Sequence, residues 1–404
     1  MTPVRTVRPR VADERGFSMM EMLISTSIMM LVTGAIFGML DPATGAFNTQ
    51  PEVSDLQQRL RVGVDSLQKD LVMAGAGTYM GESTGALHNF FAPIMPYRTG
   101  DLSPDPPGTF RSDAISVMFV PPTPAQTRVN KAMGGGNAQE LDVTAQDNCG
   151  NDKHDSLCGF EAGMRVMIFE PEGSYDSMTI TNVQDEALHL QHNADRLSSG
   201  YDGGNAVLTQ IAAHTYYLKT DLAAKTFQLM HYDGYQTDLP VADNVVKLEF
   251  EYWGEPNAPQ LMPNKALTDP KGPWTTYGPK PPPLGTDTSD FWAAGENCTF
   301  AVVDGRHVAR LATLGAGLAQ VRLTKEQLTD GPWCADPTKD NRYDADLLRI
   351  RRIRVSLRVQ VAADWLRGPS ALLFKYPGTA SGSKYVPDQE IRFDVAPRNM
   401  NLGR

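Results

Sequence analysis

Positive charge is the first thing this sequence lacks. Its 37 lysines and arginines are outnumbered by 47 acidic residues, giving a formal net charge of -10. No overall basic excess therefore steers the chain to nucleic acid or anionic lipid. Cysteine is scarce too: four residues in 404, arranged as two local pairs, Cys149 with Cys158 and Cys298 with Cys334. Neither pair has the spacing of roughly two to four residues that structural zinc ligands adopt. An even cysteine count instead makes all four disulfide candidates if the chain is exported. The sequence has no Walker phosphate loop, no dinucleotide glycine fingerprint after a strand and no HExxH helix. It offers no cofactor or metal motif, and no enzyme is expected.

What is present divides sharply at the start of the chain. Residues 1–16 carry Arg5, Arg8, Arg10 and Arg15 against Asp13 and Glu14. From Phe17 to Leu40 runs FSMMEMLISTSIMMLVTGAIFGML, in which Glu21 is the one charged residue. As a helix this segment matches a hydrocarbon core of roughly 30 Å. The basic flank before it predicts a cytoplasmic amino terminus and export of everything after it, a single-pass topology with an extracytoplasmic domain. An ordinary secretory signal cut near Thr44-Gly45-Ala46 fits poorly, because the apolar run exceeds a signal-peptide core and contains a carboxylate. A charge in such a span costs a few kcal/mol unless it is paired, which marks Glu21 as functional.

Arg15-Gly16-Phe17-Ser18-Met19-Met20-Glu21, followed by the unbroken apolar run, resembles the class III signal of type IV prepilins. The resemblance implies cleavage between Gly16 and Phe17 by a prepilin peptidase, methylation of Phe17, and a mature chain whose fifth residue is Glu21. It further implies that Glu21 pairs with the amino terminus of a neighbouring subunit and so sets register in the assembly. The implied partners are the prepilin peptidase, other minor and major pilins, the inner-membrane assembly platform and the membrane itself. No nucleic acid is expected.

Beyond the anchor, Asp41 to Gln50 reads as a turn, and Pro51 suits a first helical position. Val53, Leu56, Leu60, Val64, Leu67, Leu71 and Ala74 then recur three and four apart, predicting an amphipathic helix over 51–75 that ends at Gly75. Leu67-Gln68-Lys69-Asp70-Leu71-Val72-Met73-Ala74-Gly75 is similar to the end of this helix in PilW-like minor pilins and J-type pseudopilins. Alternation predicts strands at 113–120, 164–169, 215–218, 227–230 and 245–252, and at 349–361 a half-buried strand with a basic face. Residues 245–252 and the closing Arg398-Asn399 also resemble that family. Residues 121–160 and 255–345 read as loop-rich insertions; the second carries nine prolines between Pro256 and Pro283. The expected fold is α+β and pilin-like, a long amino-terminal helix packed on antiparallel sheet in an extracytoplasmic domain over 76–404.

Two patterns invite chemistry. Gly81-Glu82-Ser83-Thr84-Gly85 satisfies a hydrolase nucleophile elbow but follows a helix end rather than a strand, so a turn is expected. Asp142, Asp147, Asn148, Asn151, Asp152 and Asp155 crowd around Cys149 and Cys158, yet match no calcium spacing, so a solvated acidic loop is expected. His189 and His192 fall on opposite faces of a strand and cannot readily share a metal. The expected function is a minor pilin acting in pilus assembly or initiation at a filament tip. A type II secretion pseudopilin is the near alternative, and a membrane-anchored binding protein or hydrolase the distant one.

Overall fold

The computed structural model describes residues 16–401 except 78–86, 88–90, 97–111, 123–124, 135–139, 147–155, 171–174, 185–188, 193–196, 198–199, 222–225, 235–236, 263–273, 288–290, 316–318, 335–336, 339–341, 364–365 and 368–385; over 39–48 it describes backbone only. The described chain is α+β: one long helix, α1 (Met19–Met73), followed by strands in antiparallel ladders. Two compact units separate at Ser54 and Asp55.

Helix α1 does not stop where the sequence reading put a turn. It runs through 41–50 and through Pro51 without interruption. A proline removes only one rung of the backbone ladder, a cost of about 3 kcal/mol, and Pro51 is flanked by continuous helix on both sides.

In the second unit the helix buries one stripe. Leu56, Leu67, Leu71 and Ala74 have no exposed surface, as their spacing predicts. Gly63 belongs to the same stripe, where a Cβ would stand 2.9 Å from Leu357 and 3.4 Å from Leu229. Those leucines lie in different sheets, so the helix contacts both where it lacks a side chain. At the helix end Gly75 takes φ +72°, and a Cβ there would press on Pro93 and Met400. Only glycine adopts that left-handed conformation without strain.

One sheet has five strands in the order Ile94–Met95, Ala114–Phe119, Ala212–Asp221, Thr226–Tyr232, Asp238–Asp243. A second has four, in the order Val321–Leu323, Val245–Gly254, Ile350–Val359, Gln389–Val395. Each strand predicted from alternation falls within one of these sheets or the third, described next.

Ala114–Phe119 pairs directly with Ala212–Asp221, although most of a hundred residues separate them. That intervening chain forms a sheet of its own, ordered Gln126–Arg128, Val207–Gln210, Arg165–Phe169, Tyr175–Gln184, His189–His192, Glu140–Asp142. Its two edges meet: Asn130 N–H donates to Asp142 O at 2.8 Å, Thr144 N–H to Arg128 O at 2.9 Å, and Val129 bridges Val143. The six strands therefore close into a small barrel, which removes exposed edges. Leu141, Val143, Leu157, Val166, Ile168, Ile180, Leu190 and Leu208 fill its core. The stretch 121–160 contributes, among its described residues, two short strands to this barrel, Gln126–Arg128 and Glu140–Asp142. Its strands were missed because they are about three residues long, shorter than any alternation can identify.

The 255–345 stretch contributes a strand to the four-stranded sheet and two short hairpins, Phe300–Val303 with Arg306–Ala309 and Trp333–Cys334 with Tyr343–Asp344. The basic face expected over 349–361 is also revised. Arg349, Arg351 and Arg358 are buried. Arg351 donates to the carbonyls of Leu348 and Ile350 at 2.8 and 2.9 Å, and Arg349 reaches the carbonyl of Ala312 at 2.5 Å. Backbone carbonyls can absorb a guanidinium's five donors. Arg352 and Arg354 instead lie over the ring of Trp253, each at 4.7 Å.

Candidate functional site

The amino-terminal site is built on a helix start. Gly16, Phe17 and Ser18 precede the helix in non-helical backbone, and Phe17 is 85% exposed. Ser18 Oγ accepts from the Glu21 amide at 3.2 Å, while Glu21 Oε2 accepts from the Ser18 amide at 2.9 Å. This reciprocal pair is a capping box: each side chain satisfies a backbone donor that the first helical turn leaves without a partner. Glu21 therefore has a local role that the sequence reading did not assign, although the Ser-x-x-Glu spacing was available to signal it. Its carboxylate also lies at the helix end whose dipole favours negative charge.

From Met19 to Gly38 the helix is long and apolar enough to cross a membrane, and none of that window is buried. Leu23, Leu31 and Phe37 are exposed, each well over half. Its hydroxyls turn back to the backbone: Thr26 Oγ1 donates to Met22 O at 2.8 Å and Ser27 Oγ to Leu23 O at 2.7 Å. Hydroxyls satisfied in this way are tolerated in hydrocarbon, leaving Glu21 as the window's one charge.

The predicted disulfides divide. Cys298 and Cys334 are bonded, with Cα atoms 5.1 Å apart, and the bond fastens the segment just before the first hairpin to the second hairpin. Cys158 is disulfide-bonded; Cys149 lies outside the described residues. The Gly81–Gly85 pattern and all of the acidic-loop residues except Asp142 also lie outside them. Asp142 pairs with Lys131 and accepts from Asn130 at 3.0 Å. His189 Nδ1 is 2.8 Å from Glu140 Oε1 on the neighbouring strand.

A second polar centre was not anticipated. Asp70, in the last turn of α1, is buried, and its Oδ2 lies 2.6 Å from His214 Nδ1 and 2.7 Å from the Tyr216 hydroxyl that donates to it. His231 Nε2 is 3.7 Å from the same oxygen. Burial pushes the Asp70 carboxyl up, but the hydrogen bonds from His214 and Tyr216 and the nearby histidines outweigh it, holding its pKa below the ordinary 3.8. Burial and the neighbouring His214 lower His231. Burial and the Asp70 charge push Tyr216 far up. The sequence signal was Asp70 itself, a carboxylate on an otherwise apolar helical stripe. Its partners could not be found the same way, because they come from strands far along the chain.

Asp330, Asp344 and Asp346 also converge, but Asp344 and Asp346 are engaged within the fold. Asp344 caps the Ala345–Arg349 turn, accepting from Asp346 N at 2.8 Å and from Gly331 N at 2.6 Å. Asp346 pairs with Arg349. No protein-family model matches this chain, and no curated protein matches it.

Proposed function

We propose that the chain is a pilin-like subunit, a minor pilin that acts in assembly or initiation of a type IV pilus at the filament tip. The observation that supports this reading is the pairing of a fully exposed apolar helical window with one carboxylate at its entrance, five residues into the chain that follows Gly16. A free-standing anchor uses that charge only to cap its own helix start, whereas a helix packed among others like it can also use it for register.

In this reading a prepilin peptidase cuts between Gly16 and Phe17, in the non-helical stretch before the capping box, where the scissile bond is free of helical hydrogen bonds. The new ammonium of Phe17 then neutralises Glu21 of a neighbouring subunit. A carboxylate has two oxygens, so the cap on Oε2 and an ammonium contact are compatible. In a low-dielectric bundle such a pair is favourable only when aligned, and a misplaced subunit leaves a buried charge without its partner. The barrel and the two hairpins of the 255–345 stretch add bulk that is awkward to repeat along a packed fibre but acceptable at an end. The amino terminus is cytoplasmic and the domain after α1 is exported.

The test is mass and amino-terminal analysis of the chain from its native membrane, combined with Glu21→Ala. The expected mature chain begins at N-methylated Phe17, and Glu21→Ala inserts in the membrane yet is not incorporated into filaments. A chain that begins at Met1 or near Phe47, or normal incorporation of Glu21→Ala, would overturn the proposal.

A further inference from the structure

The Asp70 centre draws on three segments that the fold brings together: the last turn of α1, the Ala212–Asp221 strand and the neighbouring Thr226–Tyr232 strand. One donor atom each from Asp70, His214 and His231 lies within 4.8 Å of the other two. The His214 and Tyr216 contacts to Asp70 form an ordinary hydrogen-bonded network. His231 does not complete it: its Nε2 is buried, has no hydrogen-bond partner, and stands 3.7 Å from Asp70 Oδ2. Buried polar atoms are rarely left this way, and one aimed at a carboxylate and a second imidazole points to an occupant between them.

We infer that Asp70, His214 and His231 form a binding site for a first-row divalent cation of the zinc class, clamping helix α1 to the five-stranded sheet. Two imidazole nitrogens and one carboxylate are the donor set of a borderline cation. Calcium and magnesium are disfavoured, because they need more oxygen donors than a single carboxylate supplies. The surroundings resemble the outer support of such sites. The Tyr216 hydroxyl, 2.8 Å from Ser66 Oγ, donates to Asp70 and fixes the carboxylate. The Phe119 ring meets His214 edge-on at 5.1 Å, and Tyr216 lies against His231 at 4.8 Å. Asp70 and His214 also line a cleft of about 690 Å³ together with Lys69, Phe119 and Pro121, so the Asp70–His214 side of the centre opens to it. On binding, His214 Nδ1 exchanges its hydrogen bond to Asp70 for the cation, with the ring proton carried on Nε2. This inference is independent of the pilin proposal, since it concerns the folded domain alone.

The experiment uses the full chain in detergent micelles, stripped with chelator and titrated with zinc chloride or cobalt(II) chloride. Wild-type protein is expected to bind one cation at this centre, with cobalt d–d absorption, a zinc-edge X-ray absorption spectrum containing two imidazole nitrogens, and a raised thermal midpoint. His231→Gln and His214→Gln should each lose about 100-fold or more in affinity, since even outer-shell changes cost roughly 10–100-fold. His189→Gln, in the barrel, should change nothing. The wild-type spectra need no variant to fold. Their failure to show bound imidazole, or affinity that persists in both His214→Gln and His231→Gln, would overturn the inference.

Discussion

The two ends of helix α1 share one backbone and obey opposite rules. From Met19 to Gly38 the helix is mostly apolar and none of it is buried; from Leu56 to Ala74 one stripe is buried and the opposite face is mostly polar. Each end has a carboxylate at its outer turn. Among the described residues Glu21 is held by its own helix start, whereas Asp70 is held by residues 144 and 146 positions away. The exposed end thus keeps its charge satisfied locally, and the end packed on sheet commits its charge to the tertiary structure.

That contrast can be broken most forcefully at a leucine. Leu67→Ala removes a fully buried side chain and should cost about 2–5 kcal/mol, whereas Leu23→Ala, exposed in the apolar window, should leave the domain's unfolding unchanged. Denaturant melts of both variants in detergent check this; equal effects would erase the distinction.

Asp70→Asn should cost about 1–3 kcal/mol, the scale of lost hydrogen bonds to a charged group. It should also change the acid limb. Because the folded Asp70 pKa lies below its ordinary value, the unfolded chain binds the proton more readily. The stability it contributes is present above about pH 3.8 and is lost as pH falls through the folded value. In chelator-treated protein, Asp70→Asn should therefore show a shallower loss of stability in that acid window. An unchanged slope would mean the carboxylate is not held as described.

The smallest effect belongs to the other end. Ser18→Ala should weaken the first turn by about 1 kcal/mol, visible as faster amide exchange at Met20 and Glu21, with no shift in the domain's melting. A change in domain stability would show that the two ends are not energetically separate.

Much of the α+β arrangement was legible because it depends on period. The 56–74 stripe, the 245–252 strand and the apolar window each repeat over enough residues for their spacing to declare them. The barrel was not legible, because Gln126–Arg128 and Glu140–Asp142 are too short to show a period and gain their meaning from closing against one another. The turn expected over 41–50 failed for a related reason: local breakers such as Pro51 are weak against long helix on both sides. Gly63 was read past because glycine in a helix looks like a defect until the leucines it admits are known.

The sequence by itself determined the elements whose signals are local: the apolar window and its basic flank, the Ser18–Glu21 spacing, the helical stripe, and the absence of common enzyme motifs. Only the tertiary structure decided which distant residues would meet. The Cys298–Cys334 bond, the buried arginines of 349–358, the closed barrel and the convergence of His214, Tyr216 and His231 on Asp70 all depend on strand order and register, and those are set by packing between segments that no local pattern relates.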